Sequence, residues 1–393
     1  GYLYNARLAD ALRARGHRVD VVPVQGVWPD GPFEPFEVPD GGVLIADGLL
    51  WPAVVEHMPA LRARAVVLVH SLLHVEGGPQ WAGREAAALQ GVRAVIATGG
   101  PTQRGLTALG IPSVRIEPGT DRRGRASRPR QGRLVVVATV TPRKGLQRLM
   151  EVLRALPEGW HLQVVGSLTR DVDEAAAVQA LAAGMPVRFV GEVDEDGVAR
   201  ALEAADLLVH PALYEAYGMA IAEAFARGVA VLCTPAGAAE GGGAEGVAWE
   251  SFGERLGAAL QDPTLLDEWS ERAWARGQQL PSWDDAAGAL EESLAGFSQQ
   301  WLAQREPYDH RARSVALAQR FGAALAPDAL VLDLGGGVGS GVRFVAPHCP
   351  SARFTVVDHD ELLLAVARAH GLTTLCCDLR ELQLPACGGL HMQ

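Results

Sequence analysis

The strongest constraint on this chain is an alternation. Short β-branched apolar runs are separated by stretches of helical periodicity, in the order "GVLIAD", a helix near 52–64, "AVVLVH", a helix near 80–90, "RAVIAT", a helix near 102–110 and "SVRIEP". Strands that follow one another through helical crossovers pair in parallel and are covered by their helices, so this run predicts a doubly wound α/β domain. Ahead of it, "GYLYNARLADALRARGHRVDVVPV" reads as a glycine turn, an amphipathic helix ended by Gly16 and a β-branched strand. That is the later part of a unit whose first strand is not in the sequence. The arginine-rich stretch 119–132 has no apolar periodicity and reads as a linker. A second α/β series has strands in "RLVVVAT", "HLQVVG", "VRFVG", "DLLVHP" and "GVAVLCT", then helices from about 251 to 303. After "REPYDH" a third series opens with a helix and "ALVLDLGGGVGSG", and carries only three predicted strands. The expected domains are 1–131, 132–303 and 309–393.

Two such domains joined by one linker imply a cleft, because open α/β sheets bind ligands beyond the carboxyl ends of their strands. The net charge of −11 and a pI near 5.5 argue against nucleic acid or an anionic membrane as the main partner. No apolar run approaches the ~20 residues of a membrane span, although peripheral membrane contact stays open. Cys233, Cys349, Cys376, Cys377 and Cys387 form neither an even framework nor a metal-type spacing, which predicts buried thiols in a reducing, cytoplasmic setting.

Chemistry should therefore sit at strand ends. Of the 35 Lys and Arg residues, Lys144 is the only lysine. It follows "VVVAT" at the mouth of the helix beginning "GLQRLM", where free backbone N–H groups and the helix dipole favour an anion. A compact ammonium reaches a phosphate oxygen in a narrow slot that a planar guanidinium would not enter. The plain alternative is a solvated Lys at a helix start. Glu215 and Glu223 stand eight positions apart on or beside one helix. At ~1.5 Å per residue that is about 12 Å along the axis, on nearly one face. Carboxylates that cleave a glycosidic bond sit within about 5–9.5 Å of each other, so this pair is too wide for that work. It could hold the hydroxyls at the two ends of a longer ligand, such as a nucleotide sugar, with "AYGM" offering N–H groups between. The plain alternative is two helix-surface residues.

Taken together, residues 133–234 resemble the donor domain of glycosyltransferase family 4, retaining enzymes of the GT-B fold whose signature is a Glu, seven residues and a second Glu. The likeness extends through "VRFVGEV", "ALEAADLLVHP" and "EAFARGVAVLCTPAG", and through "GYLYNARLADALRARGH" and "RIEPGTD" in the N-terminal domain, so it covers about residues 1–303. It implies a nucleotide-sugar donor, a small-molecule or glycan acceptor, and front-face displacement in which the leaving phosphate helps to deprotonate the acceptor. It assigns Lys144 to the donor diphosphate, Glu223 to the ribose hydroxyls, Glu215 to the transferred sugar and His70 to the neighbourhood of the reacting centre. Gly218 and Met219 would offer backbone N–H groups, Gly191, Glu192 and Val193 would lie by the base, and Gly1 would match the second glycine of a phosphate-approaching Gly-Gly loop. Where the family often has an Arg, this chain has Thr139, and Arg143 is the candidate substitute.

No metal is expected. His70 and His74 lack a third ligand, no Asp-x-Asp follows a donor-domain strand, and "DVD" at 171–173 reads as a helix start capped by Asp171. In the third series, Gly335, Gly337 and Gly339 follow a strand directly and Asp358 ends the next one, the order by which a glycine turn and an acid hold a ribose-bearing ligand. The stretch resembles the opening part of a class I S-adenosylmethionine-dependent methyltransferase, which implies Asp333 and the glycines near the methionine part, Asp358 at the ribose and Asp378 near the adenine. As truncated, it is expected to be inactive. Two further readings remain open for the chain: a non-catalytic sugar-nucleotide-binding fragment or scaffold, and a nucleotide-sugar epimerase.

Overall fold

The computed structural model describes residues 2–24, 36–38, 43–127, 131–295, 299–377, 379 and 382. The chain divides into two compact units, Gly1–Glu291 and Glu292–Gln393.

The first unit contains two lobes, each built on a parallel sheet. The N-terminal lobe runs α1 (Tyr2–Ala14), β1 (Leu44–Asp47), α2 (Trp51–His57), β2 (Ala65–Val69), α3 (Leu73–Gly77), α4 (Ala82–Leu89), β3 (Ala94–Ala97), α5 (Gly100–Ala108) and β4 (Val114–Arg115), with the sheet ordered β1-β2-β3-β4. Trp51, Val54 and Val55 of α2, Leu89 of α4 and Leu106 of α5 pack with Val67, Val69 and Val95 of the sheet into one core. Two expectations are corrected here. The helix expected near 52–64 stops at His57 and continues as a 3-10 turn over Pro59–Arg64, because Pro59 offers no N–H and constrains Met58. The strand expected in "RVDVVPV" does not form: Val21 and Val22 are 65% and 50% exposed, and no described strand pairs with residues 17–24. In place of a strand partner, the Arg13 guanidinium donates to Val19 O, at 2.9 Å from Nη2.

The second lobe runs β5 (Arg133–Val137), α6 (Leu146–Arg154), β6 (His161–Val165), α7 (Val172–Leu181), β7 (Val187–Gly191), α8 (Glu195–Glu203), β8 (Leu207–His210), α9 (Met219–Arg227), β9 (Ala230–Cys233), β10 (Glu245–Gly246), α10 (Trp249–Gln261), α11 (Pro263–Gly277) and α12 (Trp283–Ala295). The sheet order is β10-β9-β8-β5-β6-β7. Alternation decides the layers. Leu134 and Val136 of β5 join α6, α7, α10 and α11 in one core, while Val135 of the same strand joins α8 and α9 in another. A strand buried on both faces is what places this sheet between two helical layers. Asp171 caps α7 as expected, accepting the Glu174 N–H at 3.0 Å. The stretch read as a linker is tied to this lobe, with Thr120 N donating to Pro281 O at 2.8 Å and Ala126 N to Arg227 O at 2.9 Å.

In the second unit, α13 (Gln299–Ala312) runs through "REPYDH", where the sequence places a boundary, and carries Pro307 inside it. There follow α14 (Val315–Ala324), β11 (Leu330–Leu334), α15 (Ser340–Val345), β12 (Arg353–Asp358), α16 (Glu361–Ala369) and β13 (Thr373–Cys376), the three strands pairing in parallel as β11-β12-β13. The core is small, centred on Val342, Val356, Leu364 and Ala367. Cys233 and Cys349 are buried free thiols, but Cys376 is exposed, since both faces of β13 are open to solvent at its end. Gly1, Asp378 and Cys387 lie outside the described residues. No helix among the described residues is long and apolar enough to cross a membrane.

Candidate active site

The order of the second sheet reverses at β5, which has β6 and β7 on one side and β8 to β10 on the other. Ligands of open α/β sheets sit at such a switch, outside the carboxyl ends of the two central strands. The β5–α6 loop delivers Lys144 there, and the β8–α9 loop delivers Glu215. The two side chains form an ion pair, Lys144 Nζ to Glu215 Oε2, with both largely buried. Lys144 closes a 3-10 turn, Pro142–Lys144, and Gly145 separates it from α6. Gly145 has φ +69°, and a Cβ there would run into the Pro211 carbonyl. The close approach of these two loops therefore needs a glycine, and it holds the lysine against the β8 end. Arg143 joins the seam, donating to Tyr214 O at 3.1 Å and lying 3.7 Å from the Glu76 carboxylate of the N-terminal lobe.

The expectation that Glu215 and Glu223 share a helix face is corrected. Helix α9 begins at Met219, after Gly218 in a left-handed conformation, so only Glu223 is on it and the 12 Å helical spacing does not apply. The left-handed Gly218, three residues after Glu215 and five before Glu223, keeps the first acid out of the helix. Glu215 is bent back to Lys144 and to a residue that sequence reasoning missed, His210, whose Nε2 lies 3.0 Å from Glu215 Oε2. A histidine closing an apolar strand five residues before the acid was the available signal. Burial works against an ionised Glu215, but the His210 hydrogen bond and the Lys144 ammonium outweigh it and hold the carboxyl well below the usual carboxylate range. Glu223 goes the other way, raised by burial against the pull of Arg227.

Glu223 and Met219 line an open cleft with Leu3 and Arg7 of α1, Asp121 of the linker and Trp283 of α12. Arg7 is ion-paired to Asp121 and sits 5.8 Å from the centre of the Trp283 ring. Gly191, with φ +82°, ends β7, its carbonyl accepting the Gly166 N–H at 2.9 Å. Glu192 and Val193 follow it towards Glu195, which also lines the cleft.

His70, at the end of β2, is bonded through Nε2 to Asn5 Oδ1 at 2.8 Å, and Asn5 Nδ2 donates to Asp47 Oδ2 at 2.8 Å. Asn5 on α1 and Asp47 at the end of β1 were not singled out by sequence, although an acid closing an apolar strand is a readable sign. Burial pushes the His70 imidazole down to about 4, against the pull of the Asp47 carboxylate. His74 is engaged separately, its Nδ1 lying 2.8 Å from the buried Glu85 carboxylate. Among the described residues no group of three or more His, Cys, Asp or Glu could hold a metal ion.

In the second unit, Asp358 accepts the Gly337 N–H at 2.9 Å and the Asp360 N–H at 2.9 Å. Gly335, Gly337 and Gly339 all have positive φ. Asp333 Oδ2 is buried without a hydrogen-bond partner, and burial raises its carboxyl.

Two Rossmann-like lobes with a crevice at the switch of the second sheet define the GT-B class of glycosyltransferase folds. Residues 119–275 match the family model for glycosyl transferases group 1. Over 180 residues the chain is 34% identical to the lipopolysaccharide glucosyltransferase WaaG of Escherichia coli (strain K12), covering 41% of this chain and 46% of WaaG. The chain thus spans less than half the length of the curated relatives it matches. Among solved structures, sucrose-phosphate synthase from Thermosynechococcus elongatus superposes with a TM-score of 0.60 at 20% identity, over 74% of this chain and 92% of that one. Anabaena Alr3699/HepE in complex with UDP and glucose gives 0.57 at 18%, over 64% and 78%. At these identities the two structures speak for the fold.

Proposed function

We propose that the unit Gly1–Glu291 moves a glycosyl group from a nucleotide-sugar donor to a hydroxyl of a small-molecule or glycan acceptor, retaining the anomeric configuration. The observation that carries this reading is the meeting of Lys144 and Glu215 at the switch between β5 and β8, in a stretch that matches the family model for glycosyl transferases group 1. The bond from the anomeric carbon to the donor phosphate breaks, the acceptor oxygen bonds that carbon on the same face, and its proton passes to the leaving phosphate oxygen. No protein nucleophile is needed. Lys144, with Arg143 beside it and the N–H groups of Gly218 and Met219 at the start of α9, would stabilise the charge growing on the diphosphate. Glu215 would hold hydroxyls of the transferred sugar and Glu223 those of the ribose, with Gly191, Glu192 and Val193 by the base. His70 would offer a hydrogen bond near the reacting centre.

A thermal-shift panel of nucleoside diphosphates and sugar nucleotides, followed by turnover with added acceptors in excess chelator, tests this reading. Stabilisation, transfer and retained configuration are expected. Stabilisation without transfer would favour a non-catalytic binder, conversion of the sugar nucleotide without acceptor an epimerase, and activity restored only by a divalent ion would overturn the metal-free scheme. HepE was solved with UDP and glucose, which makes UDP-sugars the first to try. In Glu292–Gln393, the turn at Gly335, Gly337 and Gly339 beside Asp358 would suit a ribose-bearing ligand, and the one proposed for it is S-adenosylmethionine, a methyl donor. A Cβ at Gly335 would meet open space, and Asp333 Oδ2 is buried without a hydrogen-bond partner. Asp358 would take the ribose. Stabilisation by S-adenosylmethionine, lost in D358A, is the expected result; no stabilisation would end this assignment.

A further inference from the structure

We propose that His210 is a positioning residue for Glu215, keeping its carboxylate aimed at the transferred sugar when Lys144 leaves it for the donor diphosphate. The inference rests on the glycosyl-transfer reading. Glu215 Oε2 serves two partners at once, Lys144 Nζ and His210 Nε2 at 3.0 Å. These partners differ in mobility. Lys144 carries its charge on a flexible four-carbon stem and can turn to a new anion. His210 ends β8, is paired in register with Cys233 of β9, accepts the Thr234 N–H on its carbonyl at 3.1 Å, and has a ring only 3% exposed.

A diphosphate competes with Glu215 for the ammonium. Once Lys144 turns to the phosphates, His210 is the remaining described side chain bonded to the Glu215 carboxylate. A buried carboxylate stripped of its donors costs far more than one hydrogen bond contributes, so without His210 it would rotate or take up a proton. To donate, His210 must carry its proton on Nε2. His210 itself is assigned no substrate contact. Its effect passes through Glu215, and it should therefore show in turnover and not in nucleotide affinity.

The experiment compares H210Q, whose amide can place a donor near the same point, with H210L, which cannot. UDP, GDP and ADP are titrated into each, and kcat and KM are measured with the sugar nucleotide that the wild type turns over. The expected result is unchanged nucleotide binding in both variants, a kcat in H210L lower by about tenfold to a hundredfold, as for a lost hydrogen bond to a charged group, and recovery of most of it in H210Q. Wild-type kcat in H210L, or a loss in H210Q as deep as in H210L, overturns the proposal. A second measurement needs no turnover: in the ¹⁵N-histidine-labelled full chain, the His210 Nε2 proton should exchange slowly and its resonance should move in E215Q. An unchanged resonance sinks the proposal even if transfer is confirmed, whereas a shifted one in a chain without transfer retires the glycosyl-transfer reading and leaves the His210–Glu215 bond standing.

Discussion

At Lys144 the choice of an ammonium over a guanidinium has a structural setting: a side chain only 14% exposed, beside a glycine pressed against a carbonyl. K144M is expected to keep its fold and to lose about 1.5–3 kcal/mol of nucleoside diphosphate affinity, the worth of a charge-assisted hydrogen bond. K144R should be impaired too, because the planar fork needs more room; wild-type titration curves for both would remove Lys144 from the site. The two acids should separate on binding and turnover. E223Q is expected to weaken donor binding, and E215Q to lower kcat at nearly constant affinity, as measured by titration and steady-state kinetics. Glu215 also links stability to pH. Its carboxyl is held below the ordinary 4.5, so its ionised form contributes stability that is complete above that value and is lost as pH falls towards the folded value. The Tm gap between wild type and E215Q should accordingly be widest near neutrality and close below about pH 4.5. A gap that stays level down to about pH 3 would show that the carboxylate is not favourably paired.

At the scale of elements, the site depends on loops brought together by backbone contact. Gly145 lets the β5–α6 loop touch the β8–α9 loop, while Gly99 and Gly237 let both lobes close on the Ala216 carbonyl. G145A imposes a left-handed conformation on a residue with a Cβ, costing about 1–2 kcal/mol, and drives that Cβ into Pro211 O. G184A is the control, with φ +78° and nothing within 4 Å of the added Cβ. Thermal unfolding should place G145A well below G184A, with turnover lost in the former and kept in the latter. Equal Tm values would mean that the Lys144 loop has slack that the packing does not show.

For the whole molecule, the two units differ in how thoroughly their strands are covered. Strands β8 and β9 are buried throughout, whereas in β11 Leu330 and Leu334 are 54% and 46% exposed, and Leu375 of β13 is 43% exposed. Sheet edges with open backbone groups and thin cover open first. Limited proteolysis should therefore cut first within Glu292–Gln393 and leave a resistant fragment ending near residue 291. First cuts inside β5 to β9 would contradict that order of stability.

The alternation of apolar runs and helices was enough to read parallel α/β lobes, because a strand buried on both faces has to be apolar throughout and a parallel connection has to cross over. Lys144, Glu215 and Glu223 were legible as candidates from their positions after strands. Tertiary structure alone decided their geometry. Whether "RVDVVPV" becomes a strand depends on a neighbour, not on its β-branched residues, and the spacing of the two acids depends on where Gly218 lets the helix begin. The partnership of Glu215 with Lys144, and of His70 with Asn5 and Asp47, joins residues from different strand ends and helices. No local pattern encodes such contacts, because they arise from sheet order and loop closure, which the chain settles only when it packs.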